Sequence, residues 1–134
     1  MGVICRSETG EFMGASTLSI SGVKDPAVME ALACREALAL AEDLHLRRIT
    51  VATDCLTVVK NMTTSYEGSY SMVLREIKAT ADTLTLASFR HENRASNSEA
   101  HRLARSATSG NVGRRVWLLE PPDGFCIPKN ISVQ

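Results

Sequence analysis

The segment from Asp25 to Asp54 is the part of the sequence that most constrains the fold. Asp25-Pro26 is a strong helix start, because an Asp side chain caps helices and proline suits the first helical position. Apolar residues at helical spacing follow and predict a helix to about Leu44. The apolar run Arg48–Thr53 then predicts a buried strand that ends at Asp54. A long helix that leads directly into a buried strand indicates an α/β domain.

Shorter patterns on either side of this segment complete a mixed arrangement of strands and helices. The first twenty residues predict a β-hairpin, with strands over Gly2–Arg6 and Glu11–Ile20. The later predicted elements are a short helix over Cys55–Met62, a helix capped by Ser71 and ending near Leu84, a strand over Thr85–Arg90, and a helix opened by a Ser96–Glu99 capping box and ending near Ser106. Strands that alternate with helices after a hairpin indicate a mixed sheet with flanking helices. We expect one domain over residues 1–109 and an extended tail over residues 110–134.

Charge is distributed unevenly along the chain. The 134 residues hold 15 basic and 15 acidic side chains, so the formal net charge is zero. Residues 1–89 hold eight basic and eleven acidic side chains, whereas residues 90–115 hold six basic and two acidic ones. The neutral total argues against a strongly basic nucleic-acid binder, but the local basic segment permits a phosphate-bearing partner. The alternative is a solvated helix face.

The sequence patterns disfavour several classes of protein. No apolar run approaches the length of a membrane span, and the first residues lack the pattern of a secretory signal. The four cysteines have neither the short spacing of a zinc site nor the pattern of a disulfide framework, so we expect reduced thiols. These features predict an intracellular protein, nuclear or cytoplasmic.

Three positions carry residue types that suit a functional site. Asp54 follows a predicted strand, where ligands gather in α/β sheets, although Asp also suits the cap of the next helix. Glu30 falls in the predicted first turn of the long helix, beside small apolar residues; the alternative is a solvated glutamate that interacts with the helix dipole. Asn97 and His101 are four residues apart and share a face of the last helix, although His101 alone is typical of a surface histidine.

Together these positions resemble a known arrangement. The strings Glu30–Leu38 (EALACREAL), Ile49–Leu56 (ITVATDCL) and Asn97–Arg105 (NSEAHRLAR) resemble, in this order and spacing, the ribonuclease H type 1 family. They are most similar to its plant reverse-transcriptase-like branch, which is related to retroelements. The tail string Val116–Asp123 (VWLLEPPD) is similar to that branch as well.

The resemblance implies a ribonuclease H-like mixed sheet and an endonuclease that cuts the RNA strand of an RNA–DNA hybrid. Such enzymes hold two Mg²⁺ ions with four carboxylates, and Mn²⁺ is an alternative ion. By resemblance, Glu30 and Asp54 are catalytic metal ligands, His101 stands at the catalytic position of the fourth acid, and Asn97 helps to hold the substrate strand. Four arginines flank this face of the helix, where a phosphate backbone would pass: Arg90, Arg94, Arg102 and Arg105.

Two departures from the family pattern reduce the expected activity. The imidazole of His101 is a poor ligand for Mg²⁺, although it suits Mn²⁺ or transition metals. The family's central first strand, which carries an aspartate, has no counterpart, because Met1-Gly2-Val3 resembles the second strand. Two strand edges would then stay unpaired unless a partner chain supplies a strand. We expect a hybrid ribonuclease with impaired hydrolysis, or else an inactive nucleic-acid-binding or protein-interaction domain derived from a retroelement.

Overall fold

Strands and helices follow one another in the predicted order in a computed structural model that describes residues 1–107, 112–118 and 120–122. In chain order they are β1 (Gly2–Arg6), β2 (Phe12–Ser19), α1 (Pro26–Asp43), β3 (Arg48–Thr53), α2 (Leu56–Met62), α3 (Ser71–Ala81), β4 (Leu86–His91), a 3₁₀ turn (Arg94–Asn97), α4 (Ser98–Ala107) and β5 (Gly113–Trp117). None of the helices in these ranges is long and apolar enough to cross a membrane.

The long helix α1 has well-formed ends. Asp25 accepts a hydrogen bond from the Ala27 amide across 2.9 Å, which confirms the predicted cap. At the other end His45 adopts a left-handed conformation with φ of 56°, and the amides of His45 and Leu46 bond back to the carbonyls of Glu42 and Ala41. This is the Schellman pattern, in which glycine usually occupies the left-handed position. The start of α3 differs from the prediction, because Tyr70 is its N-cap and no side chain caps it.

The strands form two separate ladders within the described part of the chain. One is an antiparallel sheet in the order β1-β2-β5, and the other is the parallel pair β3-β4. Among the described residues β1 therefore pairs only with β2, and β3 pairs only with β4. Within the described ranges, one edge of β1 and one edge of β3 carry no strand, and both strands contact α1.

Helices α1 and α4 cover opposite faces of the three-stranded sheet. A Cβ atom built on Gly14 would meet Leu44, just after α1, whereas one built on Gly2 would lie 2.7 Å from the backbone nitrogen of Ala104 and 2.8 Å from the carbonyl oxygen of Ala100 in α4. Gly2 thus allows the backbone of α4 to approach β1 closely. An ion pair between Arg6 and Glu99 also joins these two elements.

The main core lies between α1, β3, α2 and α3. Its buried members come from all four elements and from the residue before α3: Ala31, Cys34, Leu38, Val51, Val58, Met62, Tyr70, Leu74 and Ile77. On the other side Leu103 of α4 is buried against the sheet. Burial of each larger apolar side chain stabilises the folded state by about 1.5–3 kcal/mol. Packing in this core therefore fixes the position of α1 relative to β3.

The strand β5 lies within the region predicted to be an extended tail. It pairs with β2, and its Arg114 donates from Nε to Glu36 and from Nη2 to Asp43, both across 2.6 Å. Burial alone would lower the pKa of Arg114, but the hydrogen bonds and charges of these two carboxylates raise it above its usual value. The described residues 113–117 therefore form a strand that is attached to the sheet and to α1. The domain boundary at residue 109 stays a prediction.

Candidate functional site

Asp54 lies directly after the last residue of β3. The helix that follows begins at Leu56 and has Cys55 as its N-cap, with no side-chain cap, so the alternative of Asp54 as the cap is wrong. The Asp54 side chain is 15% exposed and takes part in contacts with other elements. This places a mostly buried carboxylate at the carboxyl end of a parallel strand, which is where α/β sheets form their sites.

Glu30 reaches the same strand end from α1. It lies in the second turn rather than in the predicted first turn, because α1 begins at Pro26 and its first turn has no acidic residue. Its Oε2 accepts a hydrogen bond from Thr53 Oγ1 across 2.9 Å. The half-buried Glu30 is therefore not a solvated glutamate. Two acids that are 24 positions apart in sequence approach the end of β3 from two elements.

His101 approaches the site from α4. Its Nε2 lies 2.9 Å from Asp54 Oδ2, and its side chain is 18% exposed, so the alternative of an isolated surface histidine is wrong. Arg94, in the 3₁₀ turn, places Nη1 3.6 Å from the same carboxylate oxygen and is 71% exposed. The structure thus brings together Glu30, Asp54, His101 and Arg94 around the end of β3.

The other predicted binding residues lie on the segment that leads into α4. Asn97 ends the 3₁₀ turn and is partly buried, one residue before α4 begins. Arg90, at the penultimate position of β4, pairs with Glu92 across 2.6 Å, which partly offsets its charge. Arg102 and Arg105 are exposed on α4. Their roles in binding phosphate stay a prediction.

Burial changes the titration of two groups near the acids. It raises the pKa of the Cys34 thiol to about 12, and the charges of Glu30 and Cys55 act in the same direction. Burial also lowers the pKa of the Met1 amino group, although the charges of Glu30 and Glu36 oppose this shift. The described cysteines Cys5, Cys34 and Cys55 are free thiols, as expected. A neutral, buried Cys34 thiol is not a nucleophile.

The donor set at the end of β3 fits a divalent cation only in part. The carboxylates of Glu30 and Asp54 offer the oxygen ligands that Mg²⁺ prefers, but His101 offers an imidazole that is bonded to Asp54. Within the described ranges no group of three or more His, Cys, Asp or Glu side chains is arranged to hold a metal ion. These residues do not form a complete metal site by themselves.

Thr53 was not predicted as part of the site. It is 3% exposed, and its hydroxyl group lies between the Glu30 carboxylate and the amide of Cys55. The available signal was a threonine at the last position of the predicted strand, next to Asp54. That signal alone does not separate a site residue from an ordinary strand threonine, because Thr is common in strands.

Comparisons with known proteins establish the family and the fold of the chain. Residues 1–107 match the family model described as reverse transcriptase-like. The chain is also similar to the crystal structure of RNase H1 from the halophilic archaeon Halobacterium salinarum NRC-1, with 24% sequence identity, a TM-score of 0.69, and coverage of 81% of this chain and 83% of that chain. At this identity the likeness shows the fold, which confirms the predicted ribonuclease H-like α/β fold with flanking helices, although its antiparallel and parallel strands form two separate ladders among the described residues. No curated protein gives a significant match.

Proposed function

We propose, because the chain belongs to the reverse transcriptase-like family and has a ribonuclease H-like fold, that it binds RNA–DNA hybrids through the surface at the end of β3. The observation that carries this proposal is that Asp54 contacts His101 of α4 and Arg94 of the 3₁₀ turn, while Glu30 of α1 contacts the neighbouring Thr53. Side chains from three separate elements therefore converge on the last residue of β3 and the residue after it. Such convergence at the carboxyl end of a strand favours a ligand site over a packing contact.

Metal-dependent hydrolysis of the RNA strand is the activity we propose for the complete site. Bound Mg²⁺ or Mn²⁺ would activate water and stabilise the leaving oxygen. Glu30 and Asp54 are the residues that would hold these ions, and His101 would border them. Because the donor set is partial, we propose that hydrolysis is impaired in the chain as it stands.

A further strand would complete both the sheet and the donor set. The open edges of β1 and β3 are the places where an extended segment could pair, since unpaired strand edges offer free N–H and C=O groups. We propose that this segment carries the missing aspartate and comes from additional sequence or from a partner chain. The similarity to the plant, retroelement-related branch supports this proposal, and the plant origin itself stays a prediction.

Phosphate contacts would supply the affinity for nucleic acid. Arg94 is largely exposed beside Asp54, and Arg102 and Arg105 are exposed on α4, so they are accessible to a backbone. Asn97, in the 3₁₀ turn immediately before this helix, would contact the substrate strand. Arginine contacts to phosphate give affinity that depends steeply on salt and little on sequence.

The second candidate is a protein-interaction domain, which the open edges of β1 and β3 favour. Such an edge can accept an extended peptide as an additional strand. This candidate uses the strand edges, whereas hybrid binding uses the basic surface around α4. The two functions therefore predict different responses to salt and to substitution of the arginines.

Fluorescence anisotropy with a labelled RNA–DNA hybrid tests the proposed binding. We expect saturable binding at low salt, tighter for the hybrid than for duplex DNA of the same sequence, and weaker as salt rises. The double variant Arg94→Ala/Arg105→Ala should lose most of this affinity. Absence of hybrid binding at low salt would contradict the proposal and favour the protein-interaction domain.

A further inference from the structure

Both acids at the end of β3 already have protein partners. Thr53 Oγ1 donates to Glu30 Oε2 across 2.9 Å and accepts from the Cys55 amide across 3.2 Å. This gives a continuous chain from a backbone N–H through a hydroxyl group to the carboxylate. Because Thr53 is 3% exposed, water has little access to replace it as the partner of Glu30.

The carboxylate of Asp54 is engaged from another direction. His101 Nε2 lies 2.9 Å away, and since an ionised carboxylate only accepts hydrogen bonds, the imidazole is the donor. Arg94 adds a positive charge 3.6 Å from the same oxygen. The His101 imidazole and the Arg94 guanidinium therefore offset the negative charge of Asp54, which a divalent cation would otherwise do.

We infer that Thr53, His101 and Arg94 hold the two acids in place of a metal ion, so that this domain folds and binds nucleic acid without a divalent cation. The binding half of this inference rests on the proposed function. The inference follows because the donor set at the end of β3 does not form a complete metal site among the described residues. A carboxylate without a partner would repel an approaching phosphate. Carboxylates that are hydrogen-bonded to protein donors repel phosphate less. No metal ion is therefore required for the nucleic-acid strand to approach.

Thr53 is the positioning residue in this arrangement. It lies at the last position of β3, immediately before Asp54, and its hydroxyl fixes the direction of the Glu30 carboxylate relative to the strand end. Valine has the same shape and lacks the hydroxyl, whereas serine keeps it. Thr53→Val therefore removes the link between α1 and β3 without opening a large cavity, and Thr53→Ser is its matched control.

Three measurements on the full chain test the inference, each made in EDTA and in millimolar Mg²⁺. We expect the hybrid affinity of the unsubstituted chain not to fall in EDTA, because an ion that the protein does not bind cannot support binding, and Mg²⁺ competes for the phosphates as any counterion does. The melting temperature of this chain should be the same in both buffers. In Thr53→Val, affinity in EDTA should fall about threefold or more and Mg²⁺ should restore part of it, whereas Thr53→Ser should behave as the unsubstituted chain.

Hydrogen exchange of the Cys55 amide reports on the Thr53 hydroxyl independently of binding. After correction for global stability, this amide should exchange faster in Thr53→Val and at the original rate in Thr53→Ser. Loss of more than about tenfold in hybrid affinity in EDTA, or a melting temperature several degrees higher in Mg²⁺, would overturn the inference and leave the proposed function standing. Absence of hybrid binding in both buffers would overturn the proposed function instead, and the melting and exchange results would still decide how the acids are held.

Discussion

The imidazole of His101 and the carboxylate of Asp54, 2.9 Å apart, join α4 to the end of β3. The two residues are separated by 47 positions in the sequence, and their side chains are only 18% and 15% exposed. The contact links the basic segment of the chain to its acidic body. It also holds α4, with its exposed arginines, against a strand end where Arg94 of the 3₁₀ turn lies 3.6 Å from the same carboxylate oxygen.

Replacing this histidine with an acid should make the site respond to metal. In His101→Asp two carboxylates face each other, so the melting temperature in EDTA should fall by about 4 °C, equivalent to about 1 kcal/mol for a domain of this size. Mg²⁺ should recover that loss, because a third carboxylate adds the ligand type that the ion prefers. Differential scanning fluorimetry in EDTA and in Mg²⁺ measures both effects.

His101→Asn is the matched control for this variant. It removes the imidazole without adding a charge, so it should lower the melting temperature and show no recovery in Mg²⁺. An equal Mg²⁺ response in the Asp and Asn variants would argue against a cation site formed by Asp54 and position 101.

The basic segment should set the salt dependence of hybrid binding. Arg94→Ala and Arg105→Ala should each weaken binding at all sequences and reduce the slope of log affinity against log salt by about one. Arg75→Ala is the control, because Arg75 is 63% exposed on α3 and pairs with Glu67. Anisotropy titrations over a range of salt concentrations give the slopes. If Arg75→Ala changes the slope as much as Arg105→Ala does, the binding surface has been assigned to the wrong helix.

The buried thiol of Cys34 should make the domain sensitive to alkaline pH. Its pKa is raised from 9.0 to about 12 in the folded chain, so between these values the unfolded state loses a proton that the folded state keeps. The free energy of unfolding should then fall by about 1.4 kcal/mol per pH unit over this interval, with no contribution below it. The free energy of unfolding, measured by urea unfolding at several pH values, should fall less steeply with pH in Cys34→Ala than in the unsubstituted chain. Val58→Ala, which also truncates the core, should keep the original slope.

His45 should limit the stability of the end of α1. A non-glycine residue at φ of 56° costs about 1–2 kcal/mol, and the greater flexibility of glycine in the unfolded chain offsets part of that. His45→Gly should therefore raise the free energy of unfolding by about 0.5–1 kcal/mol. Glu42→Gly, within the same helix, should lower it by about 1 kcal/mol. A destabilised His45→Gly variant would show that His45 makes a contact worth more than the strain.

Local patterns were sufficient to predict the elements and the topological position of Asp54. The Asp25-Pro26 start, the hairpin and the apolar strand before Asp54 each report a preference of a few neighbouring residues, and each has the predicted structure. The ribonuclease H-like fold was predicted from the resemblance of three strings and is confirmed. In contrast, Glu30 lies in the second turn of α1 and not in the predicted first turn, because it is the fifth residue of the helix and one turn holds 3.6 residues.

The contacts that determine the site depend on distant parts of the chain. Nothing in the sequence around Thr53 indicates that its hydroxyl meets Glu30, 23 positions away, and nothing around β5 indicates that Arg114 reaches Glu36 and Asp43 of α1. Such pairings follow from how α1 packs across the sheets. A single sequence carries no direct record of that packing.

Cleavage of an end-labelled RNA–DNA hybrid in Mg²⁺ or Mn²⁺ tests the central claim most directly. The comparison is between the given chain, the chain preceded by an in-frame strand that carries the family's aspartate, and this extended chain with Asp54→Asn. We predict little or no cleavage by the first protein, cleavage of the RNA strand by the second, and loss of that cleavage in the third. Equal cleavage by the second and third proteins would contradict the assignment of the site to the end of β3.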